Sequence, residues 1–255
     1  MKIAKYLLIA AVAAFTLAAC DKNDNPSSGK PSTETPDEEP TQDPEDDAVI
    51  VIDGDFADWD AAPNIAIAEC PDDAAKGSLL VMKFTSDEKF IYAYFEQLLE
   101  DGQAMSPFDL FLDIDNNPET GASCYLWDPC GWDYLIESEK GFLASATAVQ
   151  DMDDMALYKF IGPDGEDGWA DPDPDDEDWA PYQERTEESG FASSAGVVKS
   201  GVAKVEVAID RSIFGKLGKK IAVGILLYDG PDWNDNGVLP QGEAGALDSL
   251  LEVEL

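Results

Sequence analysis

The stretch "DWNDNGVLPQGE", residues 232–243, sets Asp232, Asn234 and Asn236 at alternate positions, follows them with Gly237, and ends on Glu243. This is the spacing of a calcium loop, in which three side-chain oxygens, one backbone carbonyl (here that of Val238) and a final bidentate glutamate surround a hard cation. The glycine makes the sharp turn. Pro240 departs from the pattern, because the ninth place of such a loop often supplies a water-mediated ligand. The preceding "KKIAVGILLYDG" reads as a strand, so the spacing predicts a structural ion at one end of a β-domain rather than a helix-opening switch. The competing reading is a solvated turn produced by chance in an acid-rich chain.

A second oxygen cluster, "DIDNNPETG", offers Asp113, Asp115 and Asn117, with Thr120 close behind. Pro118 stands where the loop glycine would be and Cys124 where the closing glutamate would be, so this is not the same kind of loop. A turn held by side-chain to backbone hydrogen bonds and a metal site are both open readings. In "DGDFADWD", residues 53–60, Gly54 reads as a turn and Phe56 and Trp59 as a plug for one end of the domain.

Aromatic rings in loops form the third group. A sugar stacks its apolar face on a ring while carboxylates and amides bond its hydroxyls. The candidates are Trp127, Trp169, Trp179, Tyr182 and Trp233, with Trp132 beside them; core packing is the competing reading for each. The chain has no histidine, which excludes Ser-His-Asp and Cys-His catalysis and His-ligated zinc. Any catalysis would run on carboxylates, tyrosine or lysine, and no catalytic motif is evident, so a non-enzyme is expected.

With 54 acids against 16 bases the formal net charge is −38, which repels nucleic acid and anionic lipid and favours multivalent cations. Residues 1–19 have a basic start at Lys2 and Lys5 and an apolar run too short to span a bilayer. The run ends in "LAAC", which resembles a bacterial lipobox and makes Cys20 the lipidated N-terminus of an anchored protein. Residues 20–47 are Pro, Ser, Thr and acid, cannot bury enough apolar surface to fold, and read as a disordered stalk. The early "DKND" resembles the acidic export signal of Bacteroidetes-type surface lipoproteins, which implies an outer-membrane, cell-surface location. Of the remaining cysteines, Cys124 and Cys130 bracket "YLWDP" and are the favoured disulfide, with Cys70 paired to either as the alternative.

The elements that must carry these residues lie in 48–255. Short runs rich in β-branched and aromatic residues recur at 48–53, 78–87, 89–97, 108–115, 133–138, 142–150, 156–162, 201–210, 220–229 and 249–255. In "AKVEVAID", Val205, Val207 and Ile209 share one face, with Lys204 and Glu206 on the other. Only 211–218 suggests a helical turn. The pattern predicts an all-β, two-sheet antiparallel sandwich, jelly-roll-like, with a long acidic loop at 163–189.

The ordered series "VIDGDFADWD", "FDLFLDIDNNPETG", "GWDYLIE" and "KVEVAIDRSIFGKLG" resembles the family-9-type carbohydrate-binding modules and their DOMON-like relatives. That resemblance implies a sandwich, often with structural calcium, and in some members sugar binding between aromatic rings; haem binding, found in others, is disfavoured without histidine. The expectation is a surface lipoprotein with a calcium-stabilised sandwich that binds glycan non-catalytically. The alternatives are a protein-interaction module of an envelope glycan-uptake system and a carboxylate-based glycosidase.

Overall fold

Alternation of apolar residues with a period of two builds thirteen strands among the described residues. In chain order they are β1 (Ala66–Glu69), β2 (Leu79–Ser86), β3 (Phe90–Leu98), β4 (Phe108–Asp113), β5 (Tyr134–Ser138), β6 (Gln150–Asp151) and β7 (Met155–Phe160). They continue with β8 (Gln183–Arg185), β9 (Ala192–Lys199), β10 (Val202–Asp210), β11 (Lys220–Tyr228), β12 (Asp235–Leu239) and β13 (Leu251–Glu254). The computed structural model describes residues 49–71, 78–100, 103–138, 149–151, 155–169, 182–186, 188–228, 234–242 and 246–255, all within one compact unit, Asp43–Leu255. The first sheet runs β1-β2-β3-β10-β9-β6 and the second β12-β11-β4-β5-β7-β8, with β13 also on β11; neighbouring strands are antiparallel. The expected antiparallel sandwich is the fold observed. Arg211–Phe214 is the short helical turn, here a 3-10 turn in which the Asp210 side chain accepts the Ser212 N–H. Among the described residues no helix is long and apolar enough to cross a membrane.

The inner faces meet in one core. Ile91, Ala93 and Phe95 of β3 and Val205, Val207 and Ile209 of β10 face Phe108, Leu110 and Leu112 of β4 and Val223, Ile225 and Leu227 of β11. Phe95 and Phe108 bridge the sheets edge to face, ring centres 5.0 Å apart. Four strands lacked a sequence signal. β1, β8 and β12 are short edge strands, and β9 ("ASSAGVVK") is built from small residues that match its buried place beside β10. β8 lies inside the stretch expected to be a structureless loop.

Residues 48–53, expected as a strand, form none among those described. Their backbone donors go to carboxylates instead: Val51 N–H to Asp58, and Asp53 and Gly54 N–H to Glu206. The segment lies on the outer face of the first sheet, where Ile50 and Trp59 pack with Tyr92, Tyr94 and Ala208. Phe56 and Trp59 therefore cover a sheet face rather than plug an end. Glu206 is fully buried beneath them and also accepts the Trp59 indole N–H at 3.2 Å.

Burial pushes the Glu206 carboxyl above its ordinary value, with the bonds from Gly54, Trp59 and Asp53 pulling the other way. A carboxyl raised on folding stabilises fully below its unfolded value and loses that contribution as pH rises through the folded one. Glu206→Ala orphans three donors and is expected to lower stability by about 1–3 kcal/mol in urea unfolding. Glu206→Gln should flatten the decline in stability with rising pH. Wild-type urea midpoints and pH slopes in both variants would contradict the clamp.

Candidate functional site

The outer face of the second sheet is not left to solvent. Phe111 of β4, Leu135 of β5, Phe160 of β7 and Ala222 and Leu226 of β11 form a second apolar layer, covered by the β4–β5 loop and by residues 163–169. Trp127 lies over Gly224, where an added Cβ would come within 2.6 Å of the indole, and its N–H donates to the Pro240 carbonyl at 2.9 Å. Trp132 sits on Gly168 in the same way. The Phe111 ring is 5.0 Å from Trp127, 5.9 Å from Trp132 and 5.3 Å from Trp169. Bridges Ala122 to Trp132, Ser123 to Asp167 and Trp127 to Asp248 fasten the loops together.

Beside this cluster opens a cavity of about 490 Å³, within the usual range for small-molecule sites of about 300–1,000 Å³. Its described lining is Leu226, Tyr228, Trp169 and Tyr125, with Asp109, Glu137 and Asp235. Tyr125 is 60% exposed and donates its hydroxyl to Asp235 at 2.8 Å. Asp109 is only 6% exposed, faces Glu137 directly across β4 and β5, and its Oδ1 has no hydrogen-bond partner. Burial, reinforced by the Glu137 charge, holds the Asp109 carboxyl well above the usual range.

Of the rings chosen from sequence, Trp169 lines this cavity. Trp127 does not: at 1% exposure it is core, and a ring covered on both faces cannot stack on a ligand, so its assignment to ligand contact is corrected. Tyr182 is half-buried against Phe160, ring centres 6.4 Å apart, and is not among the cavity's described lining. Trp179 and Trp233 lie outside the described residues. Tyr125, Asp109, Glu137 and Asp235 were missed. The available signal was an acid at Asp109 and another at Glu137, each interrupting an otherwise apolar strand.

The loop expected to hold calcium takes a different shape where it is described. Asp235–Leu239 is β12, paired with β11 through Val238 to Leu226 and Leu239 to Ile225. An extended strand rises about 3.3 Å per residue, so Asn236 and Val238 cannot curl into a ring around one ion as the spacing required. Asn236 instead donates its amide to Ser106 Oγ at 2.7 Å and accepts the Ser78 hydroxyl on its carbonyl. Asn234 immediately precedes β12. Asp232 and Glu243 lie outside the described residues.

The second cluster does converge. Carboxylate oxygens of Asp113, Asp115 and Asp133 lie within 4.8 Å of one another. Asp133, at the start of β5, was missed; it follows from the β4–β5 pairing of Leu112 with Tyr134, which sets it beside Asp113. Asn117 has a turn role: its N–H donates to Asp113 at 3.2 Å and its side-chain oxygen accepts the Glu119 N–H at 3.3 Å. Burial pushes Asp113 up to about 7, with Asp133 and Asp115 adding repulsion and the Asn117 N–H opposing it. Burial likewise takes Asp133 to about 6, helped by Asp115 and Asp164 and opposed by the Ile114 N–H. Three clustered hard oxygens, two of them reluctant to ionise, fit a calcium-type cation better than zinc.

The Cys124 and Cys130 sulfurs are 3.2 Å apart as hydrogen-bonded thiols, so the favoured pair is brought together without the bond being formed. That hydrogen bond holds the Cys124 thiol below its ordinary value and pushes Cys130 up. Cys70 packs against the inner core instead, with Gln241 3.9 Å away.

Fold and site together define a β-sandwich with a ligand-sized pocket on the outer face of one sheet. No family model matches the chain, and no curated protein matches it in sequence.

Two outcomes are expected. Calcium at about 100 times its Kd should stabilise by about 2.7 kcal/mol, raising the Tm by about 5–10 °C, and Asp113→Asn should abolish the rise without lowering the metal-free Tm. Mild oxidation should remove two thiols from alkylation by mass spectrometry while Cys70 remains reactive; labelling of Cys124 in place of Cys70 would contradict the pairing.

Proposed function

We propose that this chain is a membrane-anchored, surface-exposed lipoprotein whose calcium-stabilised sandwich binds carbohydrate without transforming it. The observation that carries the reading is the cavity beside Trp169 and Tyr125: rings for stacking stand next to carboxylates that accept sugar hydroxyls. The lipobox-like "LAAC" at Cys20, the stalk over residues 20–47 and the resemblance to carbohydrate-binding modules support the same reading. Calcium in this reading sits among Asp113, Asp115 and Asp133, at the foot of the loop that carries Tyr125. Asp109 and Asp113 are four residues apart on β4, about 13 Å at about 3.3 Å per residue, so the ion organises the loop rather than touching the ligand.

A second reading, a glycosidase, draws on the facing carboxylates Asp109 and Glu137, with burial raising the Asp109 carboxyl above its ordinary value. Sustained release of reducing ends from a polysaccharide panel would favour it over binding.

Glycan retention tests the leading reading. Trp169→Ala and Tyr125→Ala should each weaken binding about tenfold, the loss of about 1.4 kcal/mol of stacking; the Tm should change little in Tyr125→Ala and fall in Trp169→Ala, which also loses its contacts with Phe111 and Trp132. Trp127→Ala should act through stability instead, by about 3–5 kcal/mol. Undiminished retention by Trp169→Ala would sink the assignment of the pocket.

A further inference from the structure

A second cavity, of about 900 Å³, lies on the outer face of the first sheet, at the margin of the segment that covers Glu206. Residues 54–57 and Asp60 of that segment form one wall; β2, β3, β10 and the end of β9 form the floor. Three lysines meet there: Lys83 of β2, Lys204 of β10 and Lys199 of β9. Strand register brings the first two together, since Lys83 stands opposite Tyr94 and Lys204 opposite Glu96, two places further along β3. Their ammonium groups lie 5.1 Å and 5.9 Å from the centre of the Tyr94 ring.

Lys204 donates to Glu96 at 2.7 Å and to the Tyr94 hydroxyl at 3.1 Å, which leaves one of its three N–H groups open. Among the described residues Lys83 and Lys199 form no ion pair. Burial raises the Glu96 carboxyl, but the bonds from Lys204 and Tyr94 and the charges of Lys204 and Lys83 hold it below its ordinary value. Glu96 is therefore ionised and already shared, and three ammonium groups surround a single floor carboxylate. In a chain of formal net charge −38 this floor runs against the prevailing sign. The other acids of the described lining, Asp55 and Asp60, are exposed on the wall.

A neutral sugar would leave the excess positive charge of the floor uncompensated. A bare anion such as sulfate would compensate it but meet Asp55 and Asp60 only as like charge. An acidic sugar answers both: its anionic groups accept from the lysines, and its hydroxyls donate to Asp55 and Asp60. Phe56 and Val197 give its C–H faces apolar contact. We propose that this groove is a second binding site, for a glycan bearing carboxylate or sulfate groups, with Lys83, Lys199 and Lys204 as its anion-binding residues. The Trp169 cavity lies on the other sheet, and the inference does not rest on the reading given to it.

Calorimetry on the full chain tests it, at about pH 7 in about 0.15 M salt, where attraction between distant surface charges is screened. The probes are cellotriose, its 6-O-sulfated form, the β-1,4-linked glucuronate trimer and inorganic phosphate. At least one anionic trimer should bind about tenfold or more tightly than cellotriose, and the tighter of the two names the anion. Phosphate should not displace it. Lys83→Gln and Lys199→Gln should each weaken that trimer about three- to fivefold, and together bring its affinity to within about twofold of that for cellotriose. Their Tm should stay close to wild type, because neither lysine holds an ion pair among the described residues. Should Lys83→Gln misfold, the exposed Lys199 carries the comparison. Lys216→Gln, exposed and outside the groove, should change nothing. Equal wild-type affinities for all three trimers would overturn the inference and leave the Trp169 reading untouched. An equal loss in Lys216→Gln would assign the binding to general charge and overturn it, as would displacement by phosphate, which would make the groove a simple anion site. Loss of the anionic trimer in Trp169→Ala but not in Lys83→Gln would place it in the other cavity and overturn the inference too.

Discussion

Three carboxylates stand where the chain leaves one strand of the second sheet and where it returns. Asp113 and Asp115 sit at the exit from β4 and Asp133 at the entry to β5, close enough to repel one another, with Asp113 buried, Asp133 half-buried and Asp115 exposed. Everything between them, residues 114–132, is the loop that covers the outer face and carries Tyr125, Trp127 and Trp132. The loop has few strand hydrogen bonds of its own. It is fastened by isolated bridges, by the Trp127 indole on Pro240 and by the paired thiols near its tip. In our account a divalent cation joins the loop's two ends and turns the repulsion into a clasp, so that the pocket wall above it is rigid.

Covering both outer faces is the second constraint. A sandwich usually buries its inner faces and wets the others. Here the segment from Val49 to Ala62 shields one outer face over buried Glu206, and the tryptophan loops shield the other over Phe111. The pocket lies at the margin of that second cover, where Trp169 is half in the layer and half on the cavity. Extra coverage thus produces both the apolar floor and the buried, under-bonded Asp109.

How far the sequence led depended on whether a residue's role was local. Strands with clean alternation, such as β10, were legible because Val205, Val207 and Ile209 face the core through local geometry alone. The residues of the first sheet's cover were legible as apolar but not as a cover, since Glu206 lies about 150 positions from the backbone donors it binds. Asp113 and Asp115 could be chosen from their spacing; Asp133 required the strand register. The loop "DWNDNGVLPQGE" had suitable spacing, but its middle pairs with β11, and a ladder of backbone bonds outweighs a local motif. Trp127 looked like an exposed ring because loops are usually exposed, whereas this loop is itself a lid over a second core.

The measurement that bears most directly on this account is the coupling between the cation and the pocket, read as glycan affinity by calorimetry in calcium-saturated and in EDTA-treated protein. The account predicts that affinity falls at least about tenfold when calcium is removed, and that the glycan tightens calcium by the same factor, as linkage requires. Equal affinities in the two states, in protein that elemental analysis shows to take up no divalent metal, would contradict it.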